Sequence, residues 1–225
     1  MMNRHSSSDL QEHYQQIREA DRLQRGPGQL EFARTQEIIR RHLPFPARVL
    51  DVGGGPGAYA VWLQTQGCDV DLIDPVPRHI EEAQQSFAQH GLQGKAQVGD
   101  ARSLPFEDQS YDSVLLLGPL YHLTERNDRV LALTEARRVT RSRGVVFIAV
   151  ISRFASLLDG FSRELVRDAE FVGIMKRDLV DGHHQNPSGN PQYFTTAFFH
   201  TSAELVEEVR EADLELEGLL GVEGP

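Results

Sequence analysis

The chain has 225 residues, of which 33 are acidic and 23 basic, so its formal net charge at pH 7 is −10. This charge argues against nucleic-acid backbones and anionic membranes as general partners. Cys68 is the only cysteine, which excludes an internal disulfide and a cysteine-rich metal site. The N-terminus lacks the apolar core of a signal peptide, and no apolar run reaches the ~20 residues of a membrane span. We therefore expect a single-domain cytoplasmic protein.

The first 34 residues have a polar, mostly helical pattern. Residues 8–11 read Ser-Asp-Leu-Gln, a capping box, and Leu10, Tyr14 and Ile17 follow at helical spacing. Gly26-Pro27-Gly28 interrupts this pattern. A second helix is predicted from about residue 30 to residue 43.

Strands and helices alternate in the middle of the chain. Strands are predicted at 47–52, 69–73, 95–98, 111–117 and 144–151. Helices are predicted at 58–66, 78–90 and 126–140, the last with Thr124 as N-cap. This alternation predicts a doubly wound α/β fold with a mostly parallel, Rossmann-like sheet.

Residues 153–200 interrupt the alternation with an apolar helical face, a polar turn and an aromatic run. We interpret them as a helical insertion over the carboxyl edge of the sheet, where α/β folds bind ligands. A capping box at 201–204 begins a helix that ends near residue 212. Residues 214–222 are predicted to form a sixth strand.

The most informative stretch is 49–57, Val-Leu-Asp-Val-Gly-Gly-Gly-Pro-Gly, in which a buried strand ends in a glycine turn. Glycine lets the backbone pass close to a ligand. The spacing of Gly53, Gly55 and Gly57 behind Asp51 resembles the signature of class I S-adenosylmethionine-dependent methyltransferases. The same turn also satisfies a loose dinucleotide-binding pattern, so this motif leaves both cofactor classes open.

Three further motifs follow in the order typical of that family. Asp74-Pro75 ends the second strand, where a carboxylate can accept both hydroxyls of a ribose. Asp100-Ala101 follows the third strand, and the dinucleotide fingerprint has no use for an acid at this place. The fourth strand begins with Tyr-Asp and ends at Leu117-Gly118.

Over residues 35–152 the chain therefore resembles a class I, type 11-like methyltransferase. The resemblance implies S-adenosylmethionine as cofactor, with the glycine turn around its methionine part and Asp100 and Ala101 at its adenine. It also implies a lid at 1–34 in which Tyr14 closes over the cofactor, a core at 35–152, a substrate cap at 153–200, and a C-terminal helix and strand at 201–225. The implied reaction moves a methyl group to an O, N or S atom of an acceptor. The acidic charge and the apolar, aromatic insertion favour a small organic acceptor over RNA or DNA.

Methyl transfer from a sulfonium depends mainly on alignment, and some acceptors also need a general base. His122, four residues after Gly118, is the candidate base, and Tyr121 is the candidate to orient the acceptor. Tyr193 and Phe198 are weaker substrate-side candidates. The spacing of His122, His183, His184 and His200 matches no standard metal pattern, so we expect no metal site.

Two other functions stay open at this point: an NAD-type oxidoreductase and a non-catalytic S-adenosylmethionine-binding module. The family's sheet usually ends in a hairpin of strands six and seven, whereas only one candidate strand follows the insertion. A missing strand would expose a sheet edge, and we therefore consider a homodimer.

Overall fold

The computed structural model describes residues 22–23, 26–190 and 192–222, and every structural statement below concerns these residues. The predicted capping box at 8–11 and Tyr14 lie outside the described residues.

A parallel five-stranded sheet forms the centre of the fold, with strand order β3-β2-β1-β4-β5. The predicted α/β fold is confirmed. The fifth strand begins at Thr140, four residues before the predicted start, because the chain turns from helix into strand without a loop. The strands are β1 (Arg48–Val52), β2 (Asp69–Asp74), β3 (Lys95–Val98), β4 (Tyr111–Leu116) and β5 (Thr140–Ile148).

Helices cover both faces of this sheet. Successive strand residues point to opposite faces, so Val49 joins one apolar core and Leu50 the other. Trp62 and Phe87 pack in the first core, and Leu133 packs in the second. The helices of this region are α1 (Pro27–His42), α2 (Ala58–Thr65), α3 (Pro77–Gln89), α4 (Pro119–His122) and α5 (Arg126–Val139).

The insertion after β5 is helical, as predicted, and it also carries a small sheet of order β6-β8-β7. Arg153 holds it together, because its guanidinium donates to the Phe199 carbonyl at 3.0 Å and to Glu204 at 2.6 Å. The elements are β6 (Ile151–Ser152), α6 (Ala155–Ser162), α7 (Ala169–Asp181), β7 (His183–His184) and β8 (Ala197–His200), and α8 (Ser202–Glu211) follows.

Two local predictions are wrong. Residues 214–222 form no strand; Gly218 and Gly221 interrupt the segment, and Leu219 and Leu220 are about half exposed. Glu125, rather than Thr124, is the N-cap of α5, and its side chain makes no capping bond. The capping box at Thr201 and Glu204 is present as predicted.

No helix in the described part of the chain is long and apolar enough to cross a membrane.

A buried ion cluster fastens α8 to the centre of the molecule. Arg129 and Glu208 are 2% and 1% exposed, and Arg129 Nη2 donates to Glu208 Oε1 at 2.7 Å. His200 Nε2 lies 3.2 Å from the same carboxylate. Burial alone would raise the pKa of Glu208, but His200 and Arg129 outweigh it and hold that pKa below its ordinary value. Arg129 also donates to the carbonyls of Leu123 and Thr124, at 2.9 and 2.8 Å, just after α4.

We predict that Arg129→Met lowers the free energy of unfolding by about 3–5 kcal/mol, because it leaves the Glu208 carboxylate buried without its cation. Urea denaturation measures the loss. Arg137→Met is the matched control, since the Arg137–Asp213 pair is on the surface and exposed pairs contribute little. Equal stability of the two variants would contradict the role given to the buried cluster.

Candidate functional site

One cavity lies at the carboxyl ends of β1, β2, β3 and β4. β1 and β4 are neighbours in the sheet, but the chain runs from β1 to β2 on one side and from β4 to β5 on the other. Because these two connections run in opposite directions, a crevice opens between the carboxyl ends of β1 and β4. The predicted residues that line this cavity are Asp51, Gly53, Gly55, Asp74, Pro75, Asp100, Ala101, Leu117, Gly118, Tyr121 and His122.

The glycine turn lets two strand ends come into contact. Gly53 has φ +68°, and a Cβ built on it would lie 2.7 Å from Pro119 Cγ, so no larger residue fits there. Gly57, the remaining glycine of the motif, does not line the cavity. It is the left-handed N-cap residue of α2 and packs against Ala83 of α3. The cavity lining therefore gives no support to its predicted cofactor contact.

Asp51 is a buried acid in the cavity wall, only 1% exposed. Its Oδ2 atom has no hydrogen-bond partner among the described residues. Burial, with the nearby charge of Asp74, raises its pKa to about 7, although the Ala60 amide opposes the shift. A carboxylate in this setting is stabilised by a ligand that brings positive charge.

Asp74 at the end of β2 accepts three hydrogen bonds from the protein itself. The Gly55 amide donates to Oδ2 at 3.0 Å, and the Val76 amide donates to Oδ1 at 2.9 Å. The third contact comes from His79, whose Nδ1 lies 3.0 Å from Oδ1. His79 is 3% exposed and also lines the cavity. Asp74 is thus tied both to the glycine turn and to the first turn of α3.

Asp100 after β3 lines the cavity beside Arg102. Arg102 Nη2 donates to Asp100 Oδ2 at 2.6 Å, and Nη1 reaches Asp128 of α5 at 2.7 Å. Burial would raise the pKa of Asp100, but the hydrogen bonds and charge of Arg102 outweigh it and lower that pKa. Asp100 is therefore a fixed, ionised acceptor at this wall.

The aromatic part of the lining comes from Tyr121 and His122 of α4. The rings of Tyr121 and His122 have centroids 4.6 Å apart. Phe194 of the insertion lies nearly parallel to the His122 ring at 6.2 Å, and its centroid is 6.3 Å from that of Tyr121. His122 and Tyr121 thus reach the cavity as predicted, with an insertion residue behind them.

Tyr193 and Phe198 do not line this cavity, so its lining gives no support to the prediction that they contact substrate. Tyr193 packs on Phe171, and its hydroxyl donates to Asp168 at 2.7 Å. The centroid of the Phe198 ring lies 3.7 Å from the guanidinium carbon of Arg129 and 5.8 Å from that of Arg153, so the ring packs against two buried cations.

The histidines of the insertion pair with carboxylates instead of gathering around an ion. His184 Nδ1 lies 2.8 Å from Asp178, and His200 bonds to Glu208. Among the described residues, no three histidine, cysteine or acidic side chains are arranged to hold a metal ion.

The cavity residues that sequence reasoning missed include His79, Arg102 and Pro119. Arg102 carried a local signal, since a residue two after Asp100 can close a turn over that side chain. His79 follows Asp74 by five residues, and only the angle between β2 and α3 brings the two together. Pro119 directly follows Gly118, the last residue of the fourth-strand motif.

Comparison with known proteins identifies the same region. The family model described as "Methyltransferase domain" matches residues 49–144. An uncharacterized methyltransferase of Mycobacterium tuberculosis is 33% identical over 165 residues, which are 73% of this chain and 60% of that protein. A ubiquinone biosynthesis O-methyltransferase of Azorhizobium caulinodans is 27% identical over 205 residues, which are 87% of this chain and 72% of that protein.

Among solved structures, an S-adenosylmethionine-dependent methyltransferase from Methanosarcina mazei superposes with a TM-score of 0.62. Its sequence is 22% identical, and the match covers 78% of this chain and 82% of that one, so this likeness supports the fold alone. The chain spans about 60% of the length of the mycobacterial relative. Together, the sequence matches, the fold and the strand-end cavity show that the chain belongs to the class I S-adenosylmethionine-dependent methyltransferase family.

Proposed function

We propose that the chain is an S-adenosylmethionine-dependent methyltransferase that methylates a small organic acceptor. The observation that carries this proposal is one cavity that joins the glycine turn, Asp51, Asp74 and Asp100 at three adjacent strand ends. An acid after β3 fits an adenosine cofactor and has no counterpart in the dinucleotide pattern.

The cofactor fits the charge of this wall. S-adenosylmethionine carries a sulfonium and an ammonium, and Asp51 offers a buried oxygen without a hydrogen-bond partner among the described residues. When bound, the cofactor supplies an electrophilic methyl group. The protein's own contribution is to hold the reacting groups in line and to exclude water.

We assign the aromatic part of the cavity lining, Tyr121 and His122, to the methyl acceptor. We assign His122 as the base that takes a proton from an acceptor hydroxyl, and Tyr121 as the residue that orients it. The ubiquinone biosynthesis relative is named as an O-methyltransferase, which supports a hydroxyl over an amine or a thiol.

The charges around the cavity favour a small acceptor without phosphate groups. Arg22 and Arg102 line the cavity, and each pairs with acidic side chains, Arg22 with Glu31 and Arg102 with Asp100 and Asp128. Phosphate recognition usually needs a cation that can reach the ligand. We assign the insertion, through Phe194, as the part that covers the acceptor.

Calorimetric titration with S-adenosylhomocysteine, S-adenosylmethionine and NADH tests the cofactor. We expect micromolar binding of the first two and about a hundredfold loss in Asp74→Ala, because the change removes a buried carboxylate that accepts a hydrogen bond from the ligand and from the Gly55 amide of the glycine turn. Asp69→Ala, at the exposed start of the same strand, is the matched control and should bind normally. Binding of NADH alone would sink the proposal in favour of an oxidoreductase.

The state of Asp51 predicts a pH dependence of cofactor binding. In the free protein its carboxyl is half protonated near pH 7, and positive charge on the ligand favours the ionised form. Affinity for S-adenosylmethionine should therefore rise about tenfold from pH 6 to pH 8. Asp51→Asn should remove most of this rise. An equal rise in the variant would show that another group titrates.

The role of His122 predicts a loss of turnover. With an acceptor found by screening small hydroxylated compounds, His122→Ala should lower kcat by about a hundredfold or more. The dissociation constant of S-adenosylhomocysteine should stay within about threefold. His90→Ala, on the surface, is the control. An unchanged kcat in His122→Ala would refute the base, and cofactor binding with no turnover on any acceptor would favour a non-catalytic module.

A further inference from the structure

The carboxylate of Asp74 has almost no acceptor capacity left for a ligand. A carboxylate offers about four lone-pair positions, two on each oxygen. Oδ1 accepts from Val76 N and His79 Nδ1, at 2.9 and 3.0 Å, and Oδ2 accepts from Gly55 N at 3.0 Å. Within the described residues, three of the four positions are thus taken, and the last one lies on Oδ2.

The proton of the His79 contact is on the histidine. An ionised carboxylate only accepts hydrogen bonds, so Nδ1 carries the hydrogen that points at Oδ1. Both side chains are almost fully buried, Asp74 at 5% and His79 at 3% exposed, so water does not compete for this contact. His79 lies in the first turn of α3 and Asp74 at the end of β2, and the packing of helix on sheet fixes their distance.

We propose that His79 is a positioning residue, and that because of it Asp74 accepts a hydrogen bond from only one of the two ribose hydroxyls of the cofactor. This inference rests on the proposed function, because it concerns the same cofactor. His79 and Val76 saturate Oδ1, so a ribose reaches the carboxylate through Oδ2 alone. The sequence-based expectation that Asp74 accepts both hydroxyls is thereby narrowed to one.

The test uses S-adenosylhomocysteine and its 2′-deoxy and 3′-deoxy analogues, titrated calorimetrically into the whole chain. We expect one analogue to bind at least tenfold more weakly than S-adenosylhomocysteine and the other to bind within about threefold. Similar losses for both analogues would overturn the proposal. Failure of S-adenosylhomocysteine itself to bind would instead refute the proposed cofactor, so the two failures are distinguishable.

Variants of His79 then identify the cause of the asymmetry. His79→Leu frees one position on Oδ1, so the two analogues should bind within about threefold of each other. His79→Asn keeps a side-chain N–H close to the place of Nδ1 and should retain the difference. A purely structural role would lower affinity for all three ligands in parallel, and an unchanged difference in His79→Leu would overturn the proposal.

His200→Leu is the matched control, because it removes a buried histidine–carboxylate contact outside the cavity. We expect it to keep the wild-type difference between the analogues. If His79→Leu does not fold, the wild-type comparison and His79→Asn still decide the proposal, since loss of the difference in His79→Asn also overturns it.

Discussion

The site depends on a contact between two backbone turns. The turn after β1 and the start of α4 after β4 approach so closely that a single added carbon on Gly53 would overlap Pro119. Interiors at this packing density do not open to admit a side chain. The contact brings the cofactor wall, which comes from β1 and β2, to the aromatic part of the lining carried by α4. Without the contact between Gly53 and Pro119, the acids of the cavity and His122 would lie apart from each other along the carboxyl edge of the sheet.

The three acids of the cavity, Asp51, Asp74 and Asp100, differ in the surroundings that stabilise their ionised form. Asp100 has an arginine beside it and is ionised at little cost. Asp51 has no such cation, and burial with the charge of Asp74 raises its pKa to about 7, so a cationic ligand favours its ionised form. Asp74 is held by amides and a histidine instead of a cation. Three aspartates at neighbouring strand ends thus differ in charge and in free hydrogen-bond capacity. A single cavity can therefore offer a different partner to each part of one ligand.

The sheet and most of the cofactor wall could be predicted from sequence, because strand ends carry local signals. An acid or a glycine that directly follows an apolar run marks a strand end, and it can be recognised without knowledge of the rest of the chain. His79 and Phe194 could not be predicted in this way, since their places depend on the angle of a helix and on the path of the insertion. Aromatic composition also did not show that Tyr193 packs on Phe171 and that Phe198 packs against Arg129, since both contacts join parts of the chain that are distant in sequence. The false strand at 214–222 had the right composition but no neighbouring strand in the described structure.

The cluster of Arg129 and Glu208 has a consequence for biosynthesis. Arg129 holds the carbonyls that follow α4, and its carboxylate partner comes 79 residues later in the chain. A nascent chain that has exposed only the five parallel strands already has the acids and the glycine turn in place. Tyr121 and His122 still lack Phe194 and the anchor of α4, so on the ribosome the acids of the cavity are synthesised before the residues that support its aromatic part.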